Sequence, residues 1–152
     1  MTRMTDNDYL QQLLAIPEET QTIEFKRLNG PKIVSKIIET MVAMANTDGG
    51  RIVVGIDDPE KSIQVGVDRV YGLEENLELF DAIKHELKRI IPPIGGLINP
   101  RVIHVDELNK TVAVFEVPKA TENFHSIEDV VYIRLNKSNK RLTPHEAIKM
   151  SY

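Results

Sequence analysis

The chain has no cysteine, so disulfides, thiolate nucleophiles and zinc fingers are excluded, and any metal must be held by oxygen or imidazole. It also has no long apolar run. None approaches the roughly 20 residues of a membrane span, and Met1–Asp8 lacks the basic and apolar regions of a signal peptide. These absences predict a cytoplasmic protein with no membrane partner. A basic excess is missing too: the formal net charge is −4, whereas domains that coat nucleic acid by bulk electrostatics carry a positive surplus. Any nucleic-acid contact must therefore come from a local patch. Aromatics are few, and only Phe124 and Tyr132 lie near a basic cluster, so base stacking has few candidates.

What is present fits one globular domain. The 152 residues, 41% hydrophobic and 28% charged, suffice for a single continuous core. Asp6–Ile16 reads as a short helix stopped by Pro17, and residues 1–17 form an N-terminal helical extension to a domain spanning 18–152. Thr22–Phe25 reads as a strand. From Pro31, residues Ile33, Val34, Ile37, Ile38, Met41, Val42 and Ala45 keep the spacing of a helix with one apolar stripe. That helix runs into Asn46-Thr47-Asp48-Gly49-Gly50, where glycines permit the positive φ that ends a helix and reverses the chain.

Arg51–Ile56 is mostly apolar and β-branched, the pattern of a strand buried on both faces, and Ser62–Val67 offers a second short strand beyond the turn at Asp57-Asp58-Pro59. Leu73–Ile91 predicts a helix with acids early, cations late and Pro92-Pro93 as the stop. Arg101–Val105 and Thr111–Val117 read as a hairpin, and Val130–Leu135 as a further strand. Thr143-Pro144-His145-Glu146 is a capping box opening a last helix, cut off so soon by Tyr152 that the chain is expected to be the excised N-terminal part of a longer protein. The fold class is α/β (α+β): a mixed sheet with helices packed on it.

Four stretches in order, Glu19-Thr-Gln-Thr-Ile-Glu24-Phe25-Lys26, Met44-Ala-Asn46-Thr47-Asp-Gly49-Gly50, Val53-Val-Gly55-Ile-Asp57-Asp58 and Tyr132-Ile-Arg134, resemble the Schlafen-type Alba-like domain. The resemblance covers Glu18 to Glu146 and implies an Alba-like, DNA-binding module of transcription-regulator-type proteins, joined to C-terminal domains of its parent. It also implies an alternative, since in some Schlafen proteins the domain looks like a metal-dependent RNA endonuclease. Its three carboxylates match Glu19, Glu24 and Asp58, with Asp57 as the one-residue alternative to the last. No cofactor is expected of the binding module; the nuclease would take Mg²⁺ or Mn²⁺ on those carboxylates.

The residues themselves set conditions on the nuclease reading. On one regular strand Glu19 and Glu24 would face opposite ways, so they converge only if Glu19 precedes the strand. A parallel crossover would then bring Glu24 and Asp58 near the C-terminal ends of adjacent strands. Against it, Glu24 beside Lys26 and Arg27 has the form of a solvated ion pair.

For binding, Arg134, Lys137, Lys140 and Arg141 are cations with no acid between them. Lys26, Arg27, Lys32 and Lys36 form a second cluster. The histidines show no metal spacing, and His125 alone stands near the Tyr-Ile-Arg strand. The leading expectation is a DNA- or RNA-binding module that is not an enzyme; endoribonuclease activity and self-association as a homodimer are the alternatives.

Overall fold

The computed structural model describes residues 4–97 and 99–150. The elements follow in the order α1 (Asp6–Ala15), β1 (Ile23–Lys26), α2 (Lys32–Ala45), β2 (Gly50–Val54), α3 (Leu77–Glu86), β3 (Arg101–Val105), β4 (Lys110–Val117), β5 (Tyr132–Leu135), β6 (Ser138–Arg141) and α4 (Pro144–Met150). Strands β1-β2-β4-β3 form a mixed sheet in which β1 and β2 are parallel and the other pairs antiparallel; β5 and β6 are a separate two-stranded ribbon.

The sheet is apolar on both sides because its central strands alternate between two cores. Ile52 and Val54 of β2 join Ala113, Phe115 and Val117 of β4 beneath α2 and α3, while Val53 joins Val112 and Val114 beneath α1. Helix α2 turns Val34, Ile37, Ile38, Met41 and Ala45 onto the first of these faces, as its spacing predicts. Helix α1 brings Tyr9, Leu10 and Leu13 to the second, with the Thr5 hydroxyl accepting from Asp8 N to cap its start. Among the described residues no helix is long and apolar enough to cross a membrane.

The turn after α2 behaves as its glycines predict. Gly49 N donates to Met44 O at 2.7 Å with φ of 73°, and a Cβ there would meet Val117 O at 2.6 Å, so no other residue fits without displacing β4. The capping box is formed reciprocally: Thr143 N donates to Glu146 Oε1 and Glu146 N to Thr143 Oγ1, both at 3.1 Å.

Three expectations need correction. Ser62–Val67 is not a strand. Its backbone folds back on Asp58, with Ser62 N donating to Asp58 O at 2.9 Å, and Ile63 stands 94% exposed with no partner strand among the described residues. The Leu73–Ile91 helix is broken at Asn76, whose side chain caps Leu79 N and starts α3 there. Ser138–Arg141, where no element is predicted between the Val130–Leu135 strand and the last helix, is strand β6: the Asn136-Lys137 turn, with Asn136 at φ 53°, closes a tight hairpin onto β5. Tyr152, on which the expectation of a continuing chain rests, lies outside the described residues.

Candidate functional site: a carboxylate cluster beneath a cationic hairpin

Glu19 lies before β1, which begins at Ile23, and its carboxylate turns back so that Oε2 accepts from Phe25 N at 2.8 Å. This is the arrangement convergence with Glu24 requires. Glu24 occupies the second position of β1, opposite Ile52, and so lies short of the strand's C-terminal end, which Lys26 forms. Asp58 arrives from the turn after β2, where its Oδ1 accepts from Glu60 N at 2.9 Å; Asp57 Oδ1 accepts from Asp58 N at 3.1 Å.

Glu19, Glu24 and Asp58 are all buried and interact electrostatically. Burial pushes the Glu19 carboxyl up to about 7, the charges of Glu24 and Asp58 push the same way, and the Phe25 N–H and Lys26 oppose them.

Glu24 is already engaged by the chain's own cations. Lys26 Nζ lies 2.9 Å from Oε1, and Arg134 Nη2 lies 2.6 Å from Oε2, the latter an ion-pair contact whose angle is not that of a hydrogen bond. Arg134 is 1% exposed. Its Nη1 donates to Asn139 Oδ1 at 2.9 Å, Asn139 Nδ2 donates to Thr40 Oγ1 at 2.9 Å, and Nη2 also reaches Thr20 O at 3.3 Å. The guanidinium therefore ties the hairpin to β1 and α2, and its Nε remains without a partner among the described residues. This corrects the reading of Arg134 as a phosphate contact: strand alternation turns Arg134 and Asn139 inward together, away from any ligand in solvent.

Among the described residues no three carboxylate or imidazole groups form a cluster able to hold a metal, and both oxygens of Glu24 face cations of the chain. As arranged, the residues do not fit Mg²⁺ or Mn²⁺.

The remaining predicted cations divide into two groups. Lys137, in the turn, and Lys140 are exposed and make surface pairs, with Glu60 at 2.8 Å and Glu146 at 3.2 Å; Arg141 is exposed at the far end of β6, opposite Tyr132 and on the other face of the ribbon from Lys140. Exposed pairs of this kind contribute little to stability. Lys26 and Arg27 are less available: Lys26 is held by Glu24, and Arg27 pairs with Glu75 while stacking 3.6 Å above the Tyr71 ring. Lys32 and Lys36 are exposed on α2.

Several residues that shape the site were missed as partners. Asn46 clamps the segment leading into the hairpin, its Nδ2 donating to His125 O and Tyr132 O at 2.9 Å and its Oδ1 accepting from His125 N at 2.7 Å. Thr47 Oγ1 accepts from Arg134 N at 2.8 Å. Their side-chain role was masked by the helix-ending turn that the same residues form. His125 Nδ1 lies 2.6 Å from Pro92 O, a structural bond. The buried Arg69, with Nε on Asp57 O and Nη1 on Leu14 O, left no signal in the sequence at all.

Fold and site together define a mixed α+β domain on which a cationic two-stranded ribbon is locked by a buried arginine. The family model described as Schlafen, AlbA_2 matches residues 19–143, and the chain belongs to that family. Two solved structures share the fold. The DIP2311 protein from Corynebacterium diphtheriae has a TM-score of 0.56 and 20% identity over 95% of this chain, which spans 31% of that protein's length. The N-terminal domain of an ATP-dependent DNA helicase RecG-related protein from Nitrosomonas europaea has a TM-score of 0.54 and 20% identity, over 93% of this chain and 95% of that one. No curated protein matches the chain.

Proposed function

We propose that this chain is a nucleic-acid-binding module that grips the phosphate backbone with the β5–β6 hairpin. The observation that carries this reading is the division of labour within the hairpin's cations. Arg134 is buried and fixes the ribbon, so Lys137, Lys140 and Arg141 project from a support that is already ordered before any ligand arrives. A preorganised cationic ribbon loses little entropy on binding and suits backbone contact, which positions a protein without reading sequence. Membership of an AlbA-type family and the likeness to a domain of a DNA-helicase-related protein support nucleic acid as the ligand class, and further domains of a parent chain as partners. With a net charge of −4 the attraction is local, so binding is weak and strongly salt-dependent.

The second reading, an endoribonuclease, draws on one specific observation: a buried carboxyl titrating near neutrality beside two other acids is the kind of perturbed group found at catalytic sites. The pairing of Glu24 with Lys26 and Arg134 weighs against it. Incubation of the protein with labelled tRNA and with single-stranded DNA, with Mn²⁺ or with chelator, distinguishes the two. The binding module retains both ligands in either condition and cuts neither. Cleavage with Mn²⁺ that is lost in Glu24→Gln would replace this reading with the second.

A further inference from the structure

A cleft of about 490 Å³ opens beside the hairpin, between three walls. Helix α2 supplies Val34 and Ile38, one turn apart; helix α3 supplies Leu79 and Ala82; the segment entering β5 supplies Ile127 and Val130. The volume lies within the roughly 300–1,000 Å³ of small-molecule sites, which share this makeup of apolar walls and a few polar groups.

The third wall is held in place by the chain itself. Glu128 and Asp129, neither of them glycine, take φ of 51° and 64° in a tight turn that Ile127 and Val130 close by exchanging both backbone bonds, at 3.0 and 2.9 Å. Ser126 is paired in the same way with Ile91, at 2.9 and 2.7 Å, and Asn46 holds the carbonyl of Tyr132.

The charges lining the cleft divide into paired and unpaired. Glu86 and Glu128 share the guanidinium of Arg89, at 2.8 and 3.0 Å. Glu39 has no ion pair among the described residues; its Oε1 accepts from the Tyr132 hydroxyl at 3.4 Å, which leaves most of the carboxylate's acceptor capacity open. Arg141, opposite Tyr132 across the ribbon, is exposed, and among the described residues its side chain has neither an ion pair nor a hydrogen bond.

The cleft therefore presents apolar walls, the Tyr132 side chain, one unpaired carboxylate and one unpaired guanidinium. Its complement is a flat ring with N–H donors at its edge and an anion attached, which is the chemistry of a nucleotide. A duplex keeps its bases stacked inside, whereas an unpaired base can be splayed into a pocket and read along its pairing edge. Guanine alone among the bases carries two adjacent N–H donors there, at N1 and N2, to match the two oxygens of a carboxylate.

We infer that this cleft binds one unpaired guanine of a single strand, with the base between the apolar walls, its N1–H and N2–H on Glu39 and its phosphate at Arg141. The inference rests on the nucleic-acid reading above and narrows it to single strands that contain guanine.

Fluorescence anisotropy with short labelled oligothymidylates tests it: one strand carries a central guanine, one carries adenine there, and the guanine strand is also annealed to its complement. The guanine strand should bind about tenfold more tightly than the adenine strand or the duplex, the discrimination of one bidentate pair. Glu39→Gln should erase that preference without weakening the adenine strand, and Ala82→Phe, which fills the cleft from α3, should do the same. If the phenylalanine variant does not fold, Glu39→Gln at its half-buried helical position decides alone. In methyl spectra of the wild type, the guanine strand should shift Val34, Ile38 and Val130. Equal binding of all three probes that still weakens in the Lys137, Lys140 and Arg141 triple variant overturns the cleft and leaves the hairpin reading standing; binding of none overturns both. A guanine preference indifferent to Glu39→Gln also overturns the inference, as do methyl shifts that an apolar peptide produces and the guanine strand does not.

Discussion

The four-stranded sheet and the β5–β6 hairpin are held by opposite means. The sheet is built by apolar burial: Ile37, Met41, Ile52, Val54 and Phe115 on one side, Phe25, Val53 and Val114 on the other, nearly all without solvent contact. The hairpin is attached largely by directed polar contacts, from Glu24, Thr40, Asn46, Thr47 and Gln21 to Arg134, Asn139, Tyr132 and Asn136. A two-stranded hairpin is marginal in isolation, so these contacts decide whether it is ordered. Apolar packing tolerates slip and repacking, whereas an ion pair with its hydrogen-bonded partners permits one pose. The exposed cations belong to the region whose pose is fixed in this way.

The largest expected effect comes from breaking the polar attachment. Arg134→Ala leaves Glu24 buried with only Lys26 beside it and should cost about 3–5 kcal/mol in chemical denaturation. Hydrogen exchange should show hairpin amides losing protection ahead of β2 and β4. Ile38→Ala, in the apolar region, should cost about 2–5 kcal/mol by opening a cavity, but should lower protection across sheet and hairpin together. If both variants gave the same exchange pattern, the contrast between the regions would fail.

Asn46→Ala removes the clamp on His125 and Tyr132 and should cost about 2 kcal/mol, again felt first at β5.

A smaller effect, of opposite sign, is expected at Glu19. Its folded-state value, raised to about 7 from 4.5, means that the native state holds the proton more tightly than the unfolded chain. The associated stability is complete below pH 4.5 and is lost as pH rises through 7. Glu19→Gln keeps an oxygen for Phe25 N and removes the charge. It should flatten stability against pH across that window and make the protein more stable at alkaline pH, by about 1–2 kcal/mol once partial solvent screening is allowed for. An unchanged slope in thermal melts across the same pH range would remove the charge cluster from the account.

These contrasts also explain what could be read in advance. Helix α2, strands β2, β3 and β4 and the Gly49 turn were legible because apolar spacing and glycine each have one local solution. Ser62–Val67 misled because Ile63, Val65 and Val67 alternate like a strand although no strand among the described residues pairs with them. Strand β6 was invisible because Ser138-Asn139-Lys140-Arg141 has no apolar residue; only the Asn136 turn announced it. At the site, the sequence offered Glu19, Glu24 and Asp58 as a group, but Arg134 was read as a phosphate contact. Its partner Glu24 is remote in sequence, and a cation's burial depends on which distant strand the hairpin lands against. Composition carries no record of that.

The hairpin's exposed cations, held in place by Arg134, are proposed to make the nucleic-acid contact. Titration of the wild type and of the Lys137→Ala, Lys140→Ala, Arg141→Ala triple variant with single-stranded DNA and with tRNA over a salt series tests it most directly. These side chains are exposed, so stability should change by less than about 0.5 kcal/mol. Affinity should fall, and the slope of log K against log salt should flatten by roughly 2, near 0.7 for each lost phosphate contact. Unchanged affinity and slope in a folded triple variant would contradict the account.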